Sequence, residues 1–359
     1  MNHLANADQY SVLDTYVADD EELLDQIMKG ALSAPPIYSP GPYWESKTKN
    51  AVHQLRRLGL KDFRSSQNSA MTSYGDNPIL NVMNFSSATS LKYALKKLIV
   101  NSYPFNKIFQ SQLVLTNFRF QDYLSAVNGY FSILPRVKEL LDHHRISFDS
   151  TLGGCEAFLK LDDLKIAHVY LKLLDTLDHM DTQINLSEVN SVIEIGGGFG
   201  VNVDLQLQLF PNIRKVLYVD IAPNLYVGTQ YLKSKYGASV VDFKITKNLE
   251  TITFKDDESL EIYCILPFQI ELVKTKFDFF HNAHSFVEMS QEAVVNYGAQ
   301  VKHLLKDDGR VYFVTYDGFN EDTIHPEELL KLLSTSLSMP LSMSLIPTLF
   351  PDRFDYHIF

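Results

Sequence analysis

A glycine-rich turn is the sequence feature with the clearest chemical meaning. It spans residues 194–200 after a short apolar run and contains the glycines Gly196, Gly197, Gly198 and Gly200. Because glycine has no side chain, such a turn can bend sharply and bring backbone atoms against a bound molecule. A tight turn without a ligand is the alternative explanation.

A carboxylate further along the chain strengthens the ligand interpretation. Asp220 closes the next apolar run, 20 residues after Gly200, where a carboxylate can accept hydrogen bonds from both hydroxyls of an unphosphorylated ribose. A nicotinamide dinucleotide would need G-x-G-x-x-G/A, yet counting from Gly196 the last position is Val201, which is too large for that packing. The turn and the carboxylate therefore favour S-adenosylmethionine, which has a ribose and no pyrophosphate. Glu194 would then face its ammonium group.

Methyl transfer to a hydroxyl calls for a base with a pKa near neutrality, and histidine is the usual one. His281, His284 and Glu288 lie at the end of the fourth predicted strand or just after it, at the sheet edge that borders the ligand crevice in such folds. We expect His284 to be the base, with Glu288 orienting its ring if 284–289 begins a helix. Two alternatives stay open: His284 caps a helix or bonds a buried carbonyl, and His281 is a core residue.

Other residues are expected to complete the two binding sites. For the methyl donor they are Ile221, Pro267, Phe268, Gln269 and Asn282, and for the acceptor they are Trp44, Tyr74 and Ser285. Phe268 would stack on the adenine and Gln269 would bond the ring edge, although a core phenylalanine explains the pattern equally well. Tyr74 belongs to a turn-forming segment that could hang over the crevice.

A divalent metal that binds vicinal hydroxyls is a second mechanism to consider. Residues with suitable ligand atoms follow the fifth predicted strand, namely Asp317, Glu321, Asp322 and His325. Loops after strands are commonly acidic and solvated, however. We therefore expect that no metal is required.

The composition indicates an acidic globular protein. Its 359 residues are 45% apolar, enough for a sizeable core, and a formal net charge of −11 argues against a general nucleic-acid binder. Its two cysteines, Cys155 and Cys264, have neither disulfide-framework nor zinc-site spacing. The acidic N-terminus lacks a signal-peptide core, and no apolar run approaches the ~20 residues that span a bilayer. We expect a cytoplasmic protein, and the sequence leaves open whether it forms a homo-oligomer.

Apolar runs alternate with helical segments in the second half of the chain, which predicts an α/β fold of parallel strands and crossover helices. The predicted strands are 191–195, 215–220, 260–266, 277–283 and 310–316, with a closing antiparallel pair in 341–350 and 354–359. The segment 201–210 alternates with period 2, yet we predict a helix there because parallel strands need a crossover.

The first part of the chain lacks this alternation. Residues 1–150 predict a mainly helical cap domain that contributes to the acceptor site, and residues 151–359 predict the donor-binding domain. An amphipathic stretch over 153–179 leads into the first strand of the sheet.

Three stretches, VIEIGGGFG, LYVDIAPNLYVGTQYLKSKYG and FDFFHNAHSFVEM, resemble in order and spacing the sugar O-methyltransferase family. The segment 284–289, HSFVEM, is the more particular part, while Tyr43-Trp44 and residues 60–64 resemble the family's N-terminal landmarks. The resemblance implies a Rossmann-like class I methyltransferase fold with a seven-stranded, mostly parallel sheet and an antiparallel last strand. It also implies methyl transfer from S-adenosylmethionine to a hydroxyl of a sugar or glycoside, in polysaccharide or natural-product biosynthesis. A polyketide or phenol acceptor, or a catalytically silent scaffold of the same fold, is the alternative.

Overall fold

Apolar and aromatic runs form the strands of a mixed central sheet, and amphipathic segments form the helices that cover it. The computed structural model describes residues 17–65, 132–144, 146–149, 151–155, 158–161, 164–317, 323–347 and 354–359. The helices are α1 (Glu21–Leu32), α2 (Pro42–Leu58), α3 (132–144), α4 (His168–Ile184), α5 (Val201–Leu209), α6 (Ala222–Tyr236), α7 (Phe243–Thr246), α8 (Gln291–Leu304) and α9 (Pro326–Leu337). The strands are β1 (Phe158–Leu161), β2 (Leu164–Ala167), β3 (Ser191–Ile195), β4 (Lys215–Val219), β5 (Val240–Val241), β6 (Glu261–Ile265), β7 (Phe277–Ala283), β8 (Leu305–Tyr316), β9 (Met343–Pro347) and β10 (Phe354–Ile358).

The main sheet has the strand order β5-β6-β4-β3-β7-β8-β10-β9. Strands β3 to β8 pair in parallel with their neighbours, whereas β10 is antiparallel to both β8 and β9. The chain therefore leaves β3 first towards β4 and later returns on the other side as β7. Such a reversal opens a crevice at the carboxyl ends of the strands, where ligands bind in α/β sheets.

The expected Rossmann-like α/β fold with an antiparallel last strand is confirmed, and the closing antiparallel pair is present as β9 and β10. The predicted number of seven strands is wrong, because the main sheet contains eight strands within the described residues. The additional strand, β5, pairs with β6 at the sheet edge and is two residues long. Two residues are too few to show a periodicity.

Two segments show how tertiary context shapes local structure. The helix predicted over 201–210 is confirmed as α5, which is buried on nearly all sides, so its period-2 pattern carries no information about an exposed face. The amphipathic stretch over 153–179 is only partly helical, since α4 begins at His168. Before it, β1 and β2 form a separate antiparallel hairpin.

Each face of the sheet carries its own hydrophobic core. On one face α4, α5 and α6 pack together with the N-terminal helix α1, whose Leu23, Leu24 and Ile27 are buried. On the other face, α8 and α9 cover the aromatic side chains Phe280, Phe286 and Phe313. The described N-terminal helices are therefore continuous with the core of the sheet.

Candidate active site

A cavity lies at the carboxyl ends of β3, β4 and β7, at the strand reversal. The sheet side contributes Ile195, Gly196, Gly198, Val219, Asp220, Ile221, Asn224, Pro267, Ala283, His284 and Ser285. The remaining wall comes from the segment 37–41 with Trp44, and from Glu288, Met289, Ser290, Ala293 and Tyr297. The cavity thus brings together residues from both halves of the sequence.

The glycine turn forms one wall of this cavity. Gly196, Gly198 and Gly200 have φ values of 76°, 62° and 85°, a region that L-residues with side chains rarely adopt. The Gly196 N–H donates to the carbonyl of Val219 (2.8 Å). A Cβ atom at Gly196 would lie 2.2 Å from Oγ of Ser285. Glycine is therefore required here by backbone conformation and by space.

Asp220 lies beside the turn with its carboxylate in the cavity wall. Its Oδ2 accepts a hydrogen bond from the N–H of Gly198 (2.8 Å), and its Oδ1 accepts one from the N–H of Ile221 (2.7 Å). Burial raises the pKa of Asp220 to about 7, although these two N–H donors and the Asn224 side chain act in the opposite direction. Asp220 is therefore a buried carboxyl group whose ionised form would be favoured by a ligand that donates hydrogen bonds to it.

Glu194 and His281 lie behind the cavity wall rather than in it. The Glu194 carboxylate accepts hydrogen bonds from the side-chain amides of Asn202 (2.9 and 3.1 Å) and Gln206 (3.1 Å). His281 is fully buried, and its Nδ1 lies 3.0 Å from Nδ2 of Asn202 and 3.7 Å from Oε2 of Glu194. These contacts favour the core interpretation of His281, and they place the Glu194 carboxylate against α5.

His284 does line the cavity, at the point where β7 ends. Its φ of 66° is uncommon for a residue with a side chain, and its N–H donates to the carbonyl of Val314 (2.7 Å). Nε2 lies 3.3 Å from Nζ of Lys172 and 3.6 Å from Oδ1 of Asp355. Burial lowers the pKa of His284, the Lys172 charge lowers it further, and Asp355 raises it. The imidazole is therefore neutral at neutral pH.

Glu288 has different partners from those expected. Residues Phe286–Glu288 form a single 3-10 turn, so His284 and Glu288 do not share a face of an α-helix, which was the condition for their pairing. The Glu288 carboxylate accepts hydrogen bonds from Nε1 of Trp44 (2.7 Å) and from the hydroxyl of Tyr316 (2.7 Å). Lys172 and Asp355, not Glu288, surround Nε2 of His284.

An N-terminal segment, residues 37–41, lines the cavity, although the sequence does not predict it as part of the site. Its Tyr38 donates a hydrogen bond to Oε1 of Glu271 (2.6 Å) and packs edge-on against Tyr297 at a centroid distance of 5.8 Å. The sequence showed only an irregular stretch rich in proline and aromatic residues there. Such a composition marks an ordered loop but does not indicate what the loop covers.

The remaining predicted donor residues divide into two groups. Pro267 and Ile221 line the cavity, and they also line an adjoining apolar pocket together with Phe268. Gln269 is buried, with its amide bonded to the N–H of Leu266 (2.9 Å) and the carbonyl of Thr246 (3.0 Å). Both the oxygen and the nitrogen of its side-chain amide are therefore hydrogen-bonded to backbone atoms.

The structure also gives positions for most of the predicted acceptor residues. Trp44 and Ser285 lie in the cavity wall, and Tyr74 lies outside the described residues. Asn282, which was expected in the donor site, is buried beneath the wall, where its amide donates to the carbonyl of Ile195 (2.7 Å) and to Oγ of Ser285 (2.5 Å). Asn282 thereby holds the loop that contains His284 against the end of β3.

Two further observations concern metals and membranes. Among the described residues, no group of three or more His, Cys, Asp or Glu side chains is arranged to hold a metal ion. Asp317 and His325 form an exposed pair at 3.5 Å, while Glu321 and Asp322 lie outside the described residues. In the part of the chain that the structure covers, no helix combines the length and apolar character needed to cross a membrane.

No protein-family model and no curated protein matches this chain. Similar solved structures include a candidate O-methyltransferase from Nostoc punctiforme, with 12% identity over 53% of this chain and 57% of that protein and a TM-score of 0.38. They also include an S-adenosylmethionine-dependent methyltransferase from Clostridium acetobutylicum (13% identity, 53% of this chain and 96% of that protein, TM-score 0.35). A third is the S-adenosylmethionine-dependent methyltransferase SibL in its apo form (16% identity, 72% of this chain and 77% of that protein, TM-score 0.36). The similarities are distant.

Proposed function

We propose that this protein is an S-adenosylmethionine-dependent O-methyltransferase whose acceptor is a hydroxyl of a sugar or glycoside. The observation that carries the proposal is the composition of one cavity at the strand reversal. Its walls combine the backbone of the glycine turn, the buried carboxylate of Asp220 and the neutral imidazole of His284.

The cavity has groups that suit the ribose and the adenine of the donor. Asp220 offers a carboxylate that ribose hydroxyls can donate to, and Gly196 and Gly198 let the ligand approach the backbone. Pro267 and Ile221 supply apolar surface for the adenine. When bound, S-adenosylmethionine would supply an activated methyl group.

The protein's own contribution to the reaction would be alignment and proton removal. The cavity would hold donor and acceptor side by side, and such positioning accounts for a large part of the rate enhancement in bimolecular reactions. His284 faces this space as a neutral imidazole and can accept the proton of the acceptor hydroxyl. Its lowered pKa keeps the base unprotonated over the neutral pH range.

The sugar acceptor rests on the family resemblance of the segment 284–289 and on the aromatic wall. Trp44 and Tyr38 line the cavity, and aromatic rings suit the apolar faces of sugars. Glu288, fixed by Trp44 and Tyr316, adds a carboxylate that can accept hydrogen bonds from hydroxyls. We propose that residues 1–150 act as the cap that carries this acceptor side.

A non-sugar small molecule is the second candidate, because an aromatic wall also suits a phenol or a polyketide. Transfer of labelled methyl from S-adenosylmethionine should therefore be measured with sugars, nucleotide-linked sugars and phenols side by side. The proposal expects turnover with a carbohydrate acceptor and little or none with phenols. Turnover confined to phenols would overturn the acceptor class and leave methyl transfer intact.

The base can be tested separately with His284→Ala. We expect kcat to fall by about 10²–10⁴-fold, the usual contribution of a positioned base, while S-adenosylhomocysteine still binds. Full turnover in this variant would remove His284 from the mechanism. If the wild-type protein binds S-adenosylhomocysteine but transfers methyl to none of the acceptors, a catalytically silent scaffold is favoured instead.

A further inference from the structure

The residues around His284 form a compact charged cluster that the sequence motifs do not include. Lys172 comes from α4 and Asp355 from β10. Nζ of Lys172 lies 3.1 Å from Oδ2 of Asp355 and 3.3 Å from Nε2 of His284. The other carboxylate oxygen, Oδ1, lies 3.6 Å from the same Nε2.

We propose that Asp355 is the positioning residue for His284: its Oδ1 accepts a hydrogen bond from Nε2–H, which leaves the lone pair on Nδ1 for the acceptor hydroxyl. The proposal rests on the proposed function, in which His284 is the base. Lys172 would anchor the other oxygen, Oδ2, and keep Asp355 ionised.

The two oxygens of Asp355 support this arrangement because they are used separately. One faces the ammonium group and the other faces the imidazole, as expected when a carboxylate joins two donors. The separation of 3.6 Å is longer than a hydrogen bond, but bonds of this kind are often long without substrate and tighten in the reacting complex. Asp355 is only 8% exposed, so little water competes for it.

The electrostatics of the cluster agree with a resting base that is neutral and a carboxylate that is charged. The Lys172 and His284 interactions keep the pKa of Asp355 well below its usual range in spite of burial. His284 is also near His281 on β7, His357 on β10 and Tyr316 on β8. Burial lowers the pKa of His357 to about 4, so it adds no positive charge at neutral pH.

The proton and bond changes balance in this arrangement. As the acceptor oxygen bonds to the methyl carbon and the carbon–sulfur bond breaks, the hydroxyl proton moves to Nδ1. The donor leaves as a neutral thioether, and the imidazolium is stabilised by Asp355 until it releases the proton to water. Asp355 itself stays ionised throughout.

The competing arrangement has a different tautomer. If Lys172 donates to an unprotonated Nε2, the ring proton must lie on Nδ1, and His284 could not then accept a second proton there. The tautomer of His284 therefore distinguishes the arrangement oriented by Asp355 from the arrangement in which Lys172 bonds Nε2. It can be determined without any acceptor substrate. Two-bond ¹⁵N–¹H correlation spectra of the ¹⁵N-histidine-labelled full chain report it directly.

The chain contains 11 histidines, so His284 is assigned by its absence in the His284→Gln spectrum. We expect the Nε2–H tautomer in the wild type and in Lys172→Gln, and a shift to Nδ1–H in Asp355→Asn, where only Lys172 competes for Nε2. An Nδ1–H tautomer in the wild type, or an unchanged tautomer in Asp355→Asn, would overturn the proposal.

Kinetics with a confirmed acceptor provide the second readout. Asp355→Asn should lower kcat about 10–100-fold, the usual effect of losing a group that orients a functional histidine, with donor affinity unchanged. Glu188→Gln, which removes a carboxylate from an exposed ion pair with Arg310, is the matched control and should leave both values unchanged. An undiminished kcat in Asp355→Asn would contradict the proposal. Absence of turnover in the wild type would count against the proposed function alone, because the tautomer of His284 tests the role of Asp355 without any turnover.

Discussion

At the scale of single residues, the buried carboxylate of Asp220 has the most direct consequence for ligand binding. Burial raises its pKa from 3.8 to about 7, so without a ligand both the neutral and the ionised form of Asp220 are populated near neutral pH. Ribose hydroxyls donate to the ionised form more strongly, since hydrogen bonds to charged groups are stronger than neutral ones. Donor binding is therefore expected to shift Asp220 towards ionisation and to release a proton.

This linkage predicts a pH dependence of affinity. Below pH 7 most of the carboxyl is protonated and tight binding has to ionise it, so the Kd of S-adenosylhomocysteine should rise by up to about tenfold for each unit by which the pH is lowered. Above pH 7 the Kd should level off. Isothermal titration between pH 5.5 and 8.5 checks this, with Asp220→Asn as the variant that should show weaker binding and a flat profile. A flat profile in the wild type would contradict the assigned role of Asp220.

At the scale of secondary-structure elements, the site depends on close approach between the glycine turn and the loop after β7. A Cβ atom at Gly196 would lie 2.2 Å from Oγ and 2.4 Å from Cβ of Ser285. Asn282 ties this same loop to the carbonyl of Ile195, so the loop cannot easily retreat. The two elements therefore fix the position of His284 jointly.

Gly196→Ala tests this approach, and Gly237→Ala is its matched control. Both glycines have positive φ, 76° and 53°, but a Cβ at Gly237 would meet no atom within 4 Å. Gly237 has a ψ of −121°, in the mirror-β region that favours glycine, so Gly237→Ala should cost about 1–3 kcal/mol of unfolding free energy through backbone conformation alone. Gly196→Ala should cost clearly more and weaken ligand binding, as measured by denaturant unfolding and calorimetry. Equal costs for the two variants would show that Ser285 does not constrain the turn.

The elements also show where sequence reasoning succeeds and where it ends. The parallel strands, the glycine turn and the position of Asp220 beside it could be predicted because each follows from a local sequence pattern. The partners of His284 could not be predicted from the sequence, since Lys172 precedes it by 112 positions and Asp355 lies on the last strand. Sequence spacing pairs Glu288 with His284 only if a helix begins there, whereas the chain forms a 3-10 turn and Glu288 bonds Trp44 and Tyr316. The spacing of residues in the sequence predicts which side chains lie next to each other only when the type of secondary structure is known.

At the scale of the whole molecule, the helices at the N-terminal end are packed into the core of the sheet. The N–H of Asp20 donates to the hydroxyl of Tyr226 on α6 (2.9 Å), and Lys244 on α7 pairs with Asp20 and Glu22 (3.0 and 2.8 Å). The buried residues of α1 belong to the same cluster as those of α6. The division of the chain at residue 150 is therefore a proposal about function, and the two parts share their core.

A shared core predicts cooperative unfolding. Trp44 is the single tryptophan of the chain and lies before residue 150, so its fluorescence follows the N-terminal part, while far-UV circular dichroism follows all helices. In guanidinium titrations we expect the two probes to give coincident transitions, the usual sign of one cooperative unit. A tryptophan transition at clearly lower denaturant would show that the N-terminal part unfolds independently.

The central claim, that the cavity beside the glycine turn binds S-adenosylmethionine, is tested most directly by calorimetry with S-adenosylhomocysteine and NAD⁺ at pH 8. The predicted result is one bound S-adenosylhomocysteine per chain, no detectable NAD⁺ binding, and loss of most of the affinity in Asp220→Ala. Absence of S-adenosylhomocysteine binding to the wild type, unchanged binding in Asp220→Ala, or preferential binding of NAD⁺ would contradict it.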